Sequence, residues 1–266
     1  MSLPVYYVDA FTNKLFSGNP AAVIFSDLND SDLMQKIAAE NNLSETAFIR
    51  KEDDSYLIRW FAPSCEIDLC GHATIASAFV YFNFIDKDAT SFCVVSKEHG
   101  RLEVDRENDT YILNFPADNL TTFNNLKQIE AAIGVNPIEV YEGRDDLLVI
   151  LESEELVENL SPDFSLIKLI NKRGLIVSSR SNKYDFVSRC FYPATGVNED
   201  PVTGSAHTTL TPYWSQILGK AKLQAKQLSK RGGLLTCELK GSRVLIGGDA
   251  TLYMKGKIIL KESNLN

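Results

Sequence analysis

Three stretches of the chain carry residue types that could move a proton or hold a small anion. Glu45 stands in Asn41-Asn42-Leu43-Ser44-Glu45-Thr46-Ala47-Phe48, at the lip of an apolar run. A carboxyl group that loses solvation there gains a raised pKa, which suits it to proton transfer near neutral pH. Its plainer reading is a Ser-Glu turn with the acid in water. Cys70-Gly71-His72-Ala73-Thr74 opens a run of small and apolar residues. The glycine lets backbone approach a ligand, and the first-turn N–H groups of a helix make an anion cradle. That helix end is expected to keep His72 a neutral ring and to favour thiolate character in Cys70, whose plainer reading is a small buried hydrophobe. Asp200-Pro201-Val202-Thr203-Gly204-Ser205 opens a second such run. Asp200 either complements a helix dipole or aims a carboxylate at substrate or at His72. Ser205 offers a hydroxyl, and His207 reads as a packing or capping residue.

The two openings are copies of one unit. Tyr56 to Pro63 and Tyr184 to Pro193 are each a strand ending in Phe-x-Pro, followed by a loop and a small-residue helix. Gly71 and Gly204 lie 204 − 71 = 133 positions apart, half of 266, and Tyr81 and Trp214 share one offset from them. The elements that must position these residues are mostly short strands: 4–10, 21–26, 46–51, 56–61 (a hairpin turning at Glu52-Asp53-Asp54), 91–97, 101–105 and 110–115. Further strands are expected at 138–141, 147–151, 175–179 and 185–192, with four more between 223 and 260 separated by glycines. Helices are expected after Asp30 or Ser31 and at 73–84, 126–133, 162–171 and 205–218, the last kinked at Pro212. The class is therefore α+β with mostly antiparallel sheets. No G-x-G-x-x-G or P-loop is present, against a doubly wound dinucleotide fold. The polar stretch 116–125 divides the chain into domains 1–117 and 118–256, with 257–266 candidates to complete the first.

Composition narrows the function classes. The formal charge of −8 argues against a broad nucleic-acid surface, which needs clustered Lys and Arg. With 44% apolar and 23% charged residues the chain has the makings of an ordinary core and needs no staples. Five scattered cysteines without a C-x-x-C pair, and three histidines without a partner at metal-ligand spacing, predict neither a disulfide framework nor a metal site. The charge-free stretches 69–85 and 201–219 are interrupted by polar residues and too short to span a bilayer. The N-terminus has no basic n-region, so a cytoplasmic protein without membrane or nucleic-acid partners is expected.

Taken together, Val8-Asp9-Ala10-Phe11, Gly18-Asn19-Pro20, Asn42-Leu43-Ser44-Glu45-Thr46, Cys70-Gly71-His72-Ala73-Thr74 and Glu199-Asp200-Pro201-Val202-Thr203-Gly204-Ser205-Ala206-His207 resemble the PhzF family, the phenazine-biosynthesis isomerase-like group. The resemblance implies the diaminopimelate epimerase-like fold, with two pseudo-symmetric halves, each a sheet or barrel around a central helix. It implies a homodimer that uses no metal or organic cofactor. Glu45, His72 and Asp200 match the family's catalytic positions; Asn19, Cys70, Gly71, Ala73, Thr203, Gly204 and Ser205 match substrate-binding ones. One departure stands out. Related epimerases and racemases have a cysteine at both helix openings, whereas here the second position is Thr203.

Losing one thiol argues against two-base racemisation and fits one carboxylate removing and returning a proton. The expected reaction is isomerisation of a small carboxylated metabolite, amino-bearing or cyclic and unsaturated, within biosynthesis, in a cleft where the halves meet. Two alternatives stay open: a Cys70-dependent epimerase or dehydratase of an amino or imino acid, and a non-catalytic dimer that binds a small molecule.

Overall fold

The computed structural model describes residues 2–53 and 55–260. Its contacts group into two units, one of Met1–Asn114 with Gly247–Asn266, the other Phe115–Ile246. Asp54 of the expected hairpin turn, and 261–266 of the expected closing segment, lie outside the described residues.

In the first unit, Ser2–Ala10 pairs antiparallel with Asn19–Phe25 and with the strand Arg243–Ile259, from Ala10↔Ala250 to Ser2↔Ile259. Asn19–Phe25 runs parallel to Glu45–Glu52, which pairs antiparallel with Ser55–Phe61. Ser55–Phe61 runs parallel to Ser91–Ser96, and antiparallel Gly100–Glu107 and Thr110–Pro116 follow. Pairing of Thr110–Pro116 with Arg243–Ile259 closes a ring of eight strands among the described residues. Closure removes the exposed edges that a sheet would otherwise present.

The helix Gly71–Val80 packs against Ser2–Ala10, Asn19–Phe25, Glu45–Glu52 and Gly100–Glu107. Ala73, Ile75, Ala76, Ala78 and Val80 are completely buried. A helix apolar on every side belongs in a core, and each large aliphatic side chain buried there contributes about 1.5–3 kcal/mol. Its two interior hydroxyls are satisfied locally: Thr74 Oγ1 donates to the Cys70 carbonyl at 2.6 Å and Ser77 Oγ to that of Ala73 at 2.7 Å. The helix stops at Val80, short of the expected 84, because Tyr81–Ile85 widens into a π turn with Asp86 N–H donating to the Tyr81 carbonyl.

The second unit repeats the scheme. Leu147–Ile150 runs parallel to Leu175–Arg180, which is antiparallel to Phe186–Tyr192; that strand runs parallel to Lys222–Gln227, which is antiparallel to Gly233–Lys240. The same alternation links the first unit's strands from Asn19–Phe25 to Gly100–Glu107. In both units the buried helix joins the third and fourth of these strands, so the sequence repeat is a repeat of topology. The second helix, Ala206–Leu218, contains Pro212, whose missing N–H leaves the Thr208 carbonyl without its helical donor. The Asp118 N–H supplies one at 3.1 Å.

Three other expectations change. Residues 223–260 form three strands rather than four, because Gly256 lies within Arg243–Ile259, opposite Val5, instead of ending it. The helix expected at 162–171 shrinks to Phe164–Ile167, capped by Asp163. Val197–Asp200, expected as loop, is a short strand that sets Asp200 opposite Cys190.

Candidate active site

In the first unit the fold gathers Asn19, Glu45, Cys70, Gly71, His72 and Ala73. Asn42 takes a left-handed conformation after the helix Ser31–Asn41, and the chain then enters Glu45–Glu52 with Glu45 opposite Ala21. Asn19 begins its own strand directly after Gly18, whose φ is +70° and where a Cβ would lie 2.2 Å from the Ala10 carbonyl oxygen. Only glycine fits there.

These placements converge on the His72 ring. Glu45 Oε2 lies 2.8 Å from Nε2, with side-chain exposures of 16% for Glu45 and 7% for His72. Nδ1 faces Asn19 Nδ2 at 3.1 Å, and Cys70 Sγ lies beside the ring, 3.4 Å from Nδ1 and 3.9 Å from Nε2. Burial works against the imidazolium, while the Cys70 sulfur when ionised and the Glu45 carboxylate favour it, and the balance raises the His72 pKa above its ordinary value. The neutral ring expected from the helix end alone leaves this carboxylate out of account. The fully buried Asn19 amide suits either protonation state. Its Oδ1 accepts from Ser44 Oγ at 3.2 Å, and because a hydroxyl can donate or accept, the amide can present NH₂ to a neutral ring or oxygen to an imidazolium.

Cys70 caps its helix, with the Ala73 N–H donating to Sγ at 3.4 Å. Ala73 N–H, expected to serve a substrate, is thus committed to the cap, and the first-turn donors left for a ligand are those of Gly71 and His72. Burial, and next the Glu45 carboxylate, push the Cys70 thiol up to about 11. The thiolate expected from the helix dipole does not form near neutral pH, because desolvation and a neighbouring negative charge exceed the dipole's effect.

Glu45, Cys70 and His72 also bring three metal-ligating atom types within 4.8 Å of one another. A tetrahedral ion holds nitrogen and oxygen ligands roughly 3.3 Å apart at one shared point. Here Glu45 Oε2 and His72 Nε2 form a 2.8 Å ion-pair contact, and Cys70 Sγ sits nearer Nδ1 (3.4 Å) than Nε2 (3.9 Å). Cys70 Sγ lies beside the ring within reach of both nitrogens, and Glu45 closes on Nε2 more tightly than two ligands of one ion would.

In the second unit the fold gathers Asp200, Thr203, Gly204 and Ser205. Thr203 Oγ1 donates to Asp200 Oδ2. Ser205 precedes the helix Ala206–Leu218, and the helix begins with tight turns in which His207 and Thr208 N–H donate to the Gly204 and Ser205 carbonyls. His207 is fully buried; Nδ1 shares a 2.8 Å hydrogen bond with the Thr203 carbonyl, and burial pushes its pKa down to about 4. The neutral ring donates through Nδ1–H and packs 5.9 Å from the Phe186 ring, so of the packing and capping roles read from sequence the structure gives packing.

Four residues here escaped sequence reading. Arg173 pairs with buried Asp146, its Nε 2.9 Å from Oδ1, stacks over the Tyr192 ring at 4.9 Å, and reaches Ser205 Oγ with Nη2 at 3.4 Å. Cys190 lies fully buried against Thr203 and Asp200, and desolvation raises its pKa far above the ordinary thiol value. Gln227 binds the Asp200–Thr203 segment. Gln227 alone had a readable signal: it occupies the inward phase of a strand whose other inward residues, Leu223 and Ala225, are apolar.

Comparison with known proteins agrees over nearly the whole chain. Residues 8–256 match the family model PhzC-PhzF, described as phenazine biosynthesis-like protein. An uncharacterized isomerase of Pseudomonas aeruginosa is 48% identical over 98% of this chain and 100% of its own. A crystal structure of a PhzF-family phenazine biosynthesis protein from Enterococcus faecalis superposes with a TM-score of 0.95 at 48% identity, covering 98% of this chain and 100% of the other. A probable proline racemase from Agrobacterium radiobacter shares the fold alone, with TM-score 0.61 at 10% identity over 97% and 93% of the two chains. The fold is thus the diaminopimelate epimerase-like one shared with epimerases and racemases. With its motifs, its doubled topology and these matches in accord, the chain belongs to the PhzF family of isomerases.

Proposed function

We propose that this protein isomerises a small carboxylated metabolite by moving a proton, with Glu45 as the single acid/base. The observation that carries the reading is the shielded Glu45 carboxylate, 2.8 Å from His72 Nε2, beside a Cys70 thiol that burial keeps protonated. Glu45 pairs with His72 through Oε2, and its carboxylate accepts the substrate's C–H proton. As negative charge spreads into the substrate, the Gly71 and His72 N–H groups at the helix opening stabilise it. Glu45 then delivers the proton to another carbon of the conjugated system. The positions matching the family motif in the second unit (Asp200, Thr203, Gly204 and Ser205) bind and orient the substrate's polar groups in this reading.

The substrate class is an amino-bearing or cyclic unsaturated acid of a biosynthetic process, and the step calls on no metal or organic cofactor. We place the protein in the cytoplasm as a homodimer; no helix among the described residues is long and apolar enough to cross a membrane. The test is a panel of small carboxylated metabolites incubated in deuterated water and followed by proton NMR. Wild type and Cys70→Ala should exchange one C–H of a panel member, and Glu45→Gln should not. Exchange that survives Glu45→Gln but disappears in Cys70→Ala would overturn the assignment.

A further inference from the structure

The second helix opening carries a threonine where a two-base racemase would need an acid/base, and the hydrogen bonds around Thr203 show a use for its hydroxyl. Gln227, the last residue of Lys222–Gln227, is fully buried and commits its amide to one short segment. Nε2 donates to the Asp200 carbonyl at 2.8 Å and to Thr203 Oγ1 at 3.3 Å, while Oε1 accepts from Thr203 N–H at 2.9 Å. A hydroxyl has one proton to give. Because Thr203 Oγ1 receives from Gln227, its own proton is directed to Asp200 Oδ2. The chain of donors runs from the amide through the hydroxyl to the carboxylate. The backbone of Asp200 is fixed from the other side by its pairing with Cys190.

We infer that Thr203 and Gln227 are positioning residues for Asp200, holding its carboxylate in one orientation and favouring its ionised form. A hydrogen bond donated to a carboxylate stabilises the charged state over the protonated one. The substitution of a hydroxyl for a thiol then does more than delete a second base: it converts that position into an orienting donor. Asp200's contact with substrate rests on the function proposed above, whereas the relay itself does not.

The test is carboxyl-carbon NMR titration of the full chain labelled at aspartate, with the Asp200 signal assigned by its loss in Asp200→Asn. Thr203→Val, close in size and lacking the hydroxyl, should raise the Asp200 titration midpoint by about one pH unit, a tenfold change in acidity. Thr203→Ser should restore the wild-type midpoint, and Gln227→Met should shift it the same way by less, since the hydroxyl is then free to turn. Thermal melts establish that each variant is folded; if Gln227→Met is not, the two threonine variants decide. An Asp200 midpoint unmoved by Thr203→Val, or moved as far by Thr203→Ser, would overturn the relay. Undiminished turnover by Asp200→Asn would instead refute Asp200's part in the proposed function and leave the titration result standing.

Discussion

His207 makes acid stability of the second unit calculable. Its ring is fully buried, its pKa falls from an ordinary 6.5 to about 4 through desolvation, and it spends one N–H on the Thr203 carbonyl. Unfolded, the imidazole takes up a proton as pH falls through 6.5; folded, it resists until about 4. Across that window the unfolded state binds more protons, so stability present above 6.5 is lost as pH falls towards 4. The full gap corresponds to roughly 3 kcal/mol, and the part between about pH 7 and about pH 5 to roughly 2 kcal/mol. His207→Asn keeps a donor near the Thr203 carbonyl and removes the titration. Urea unfolding of both proteins at the two pH values, followed by tryptophan fluorescence, isolates the effect because every other titrating group is common to both. The wild type should lose about 2 kcal/mol more than His207→Asn on acidification. Equal losses would refute the reasoning, and with it the neutral buried ring that donates to the Thr203 carbonyl.

Three further outcomes are expected. In Glu45→Gln, the His72 titration midpoint read by proton NMR should fall, because a neutral amide cannot support the imidazolium as the carboxylate does; an unchanged midpoint would remove Glu45 from the ring's electrostatics. Alkylation of the native protein near neutral pH should label exposed Cys65 first and leave Cys70, Cys190 and Cys237 intact, as mass mapping would show; fast labelling of Cys70 would mean a thiolate that burial ought to forbid. Gly18→Ala should cost more than about 1 kcal/mol in chemical unfolding, since φ is +70° and a Cβ would lie 2.2 Å from a carbonyl oxygen; near-neutral behaviour would show that the turn before Asn19 yields easily.

The helix openings were readable because their determinants are local: a small-residue run after glycine, preceded by Phe-x-Pro, occurs twice at a fixed offset. Glu45 and His72 could be named from their motifs, but not their 2.8 Å meeting, which depends on the parallel pairing of Asn19–Phe25 with Glu45–Glu52 and on the helix packed against both. The directions in which Cys70 and His72 shift are hidden from sequence for the same reason. A helix dipole is visible in sequence, whereas burial and a carboxylate 25 residues upstream of Cys70 are products of the fold. Gly256 looked like a strand break, yet pairing with Ser2–Ala10 carries the strand through it. Arg173, Asp146 and Cys190 reach the second opening from other strands and loops, with no local pattern to announce them.

The central claim is that one carboxylate on one face of the substrate both removes and returns the proton. The stereochemistry of deuterium incorporation tests it most directly. Once the panel yields a substrate, turnover in deuterated water should place deuterium on the face from which the proton left, with recovered substrate keeping its configuration. Deuterium on the opposite face, or inversion of the substrate's own centre, would require a second base and would contradict the single-carboxylate mechanism.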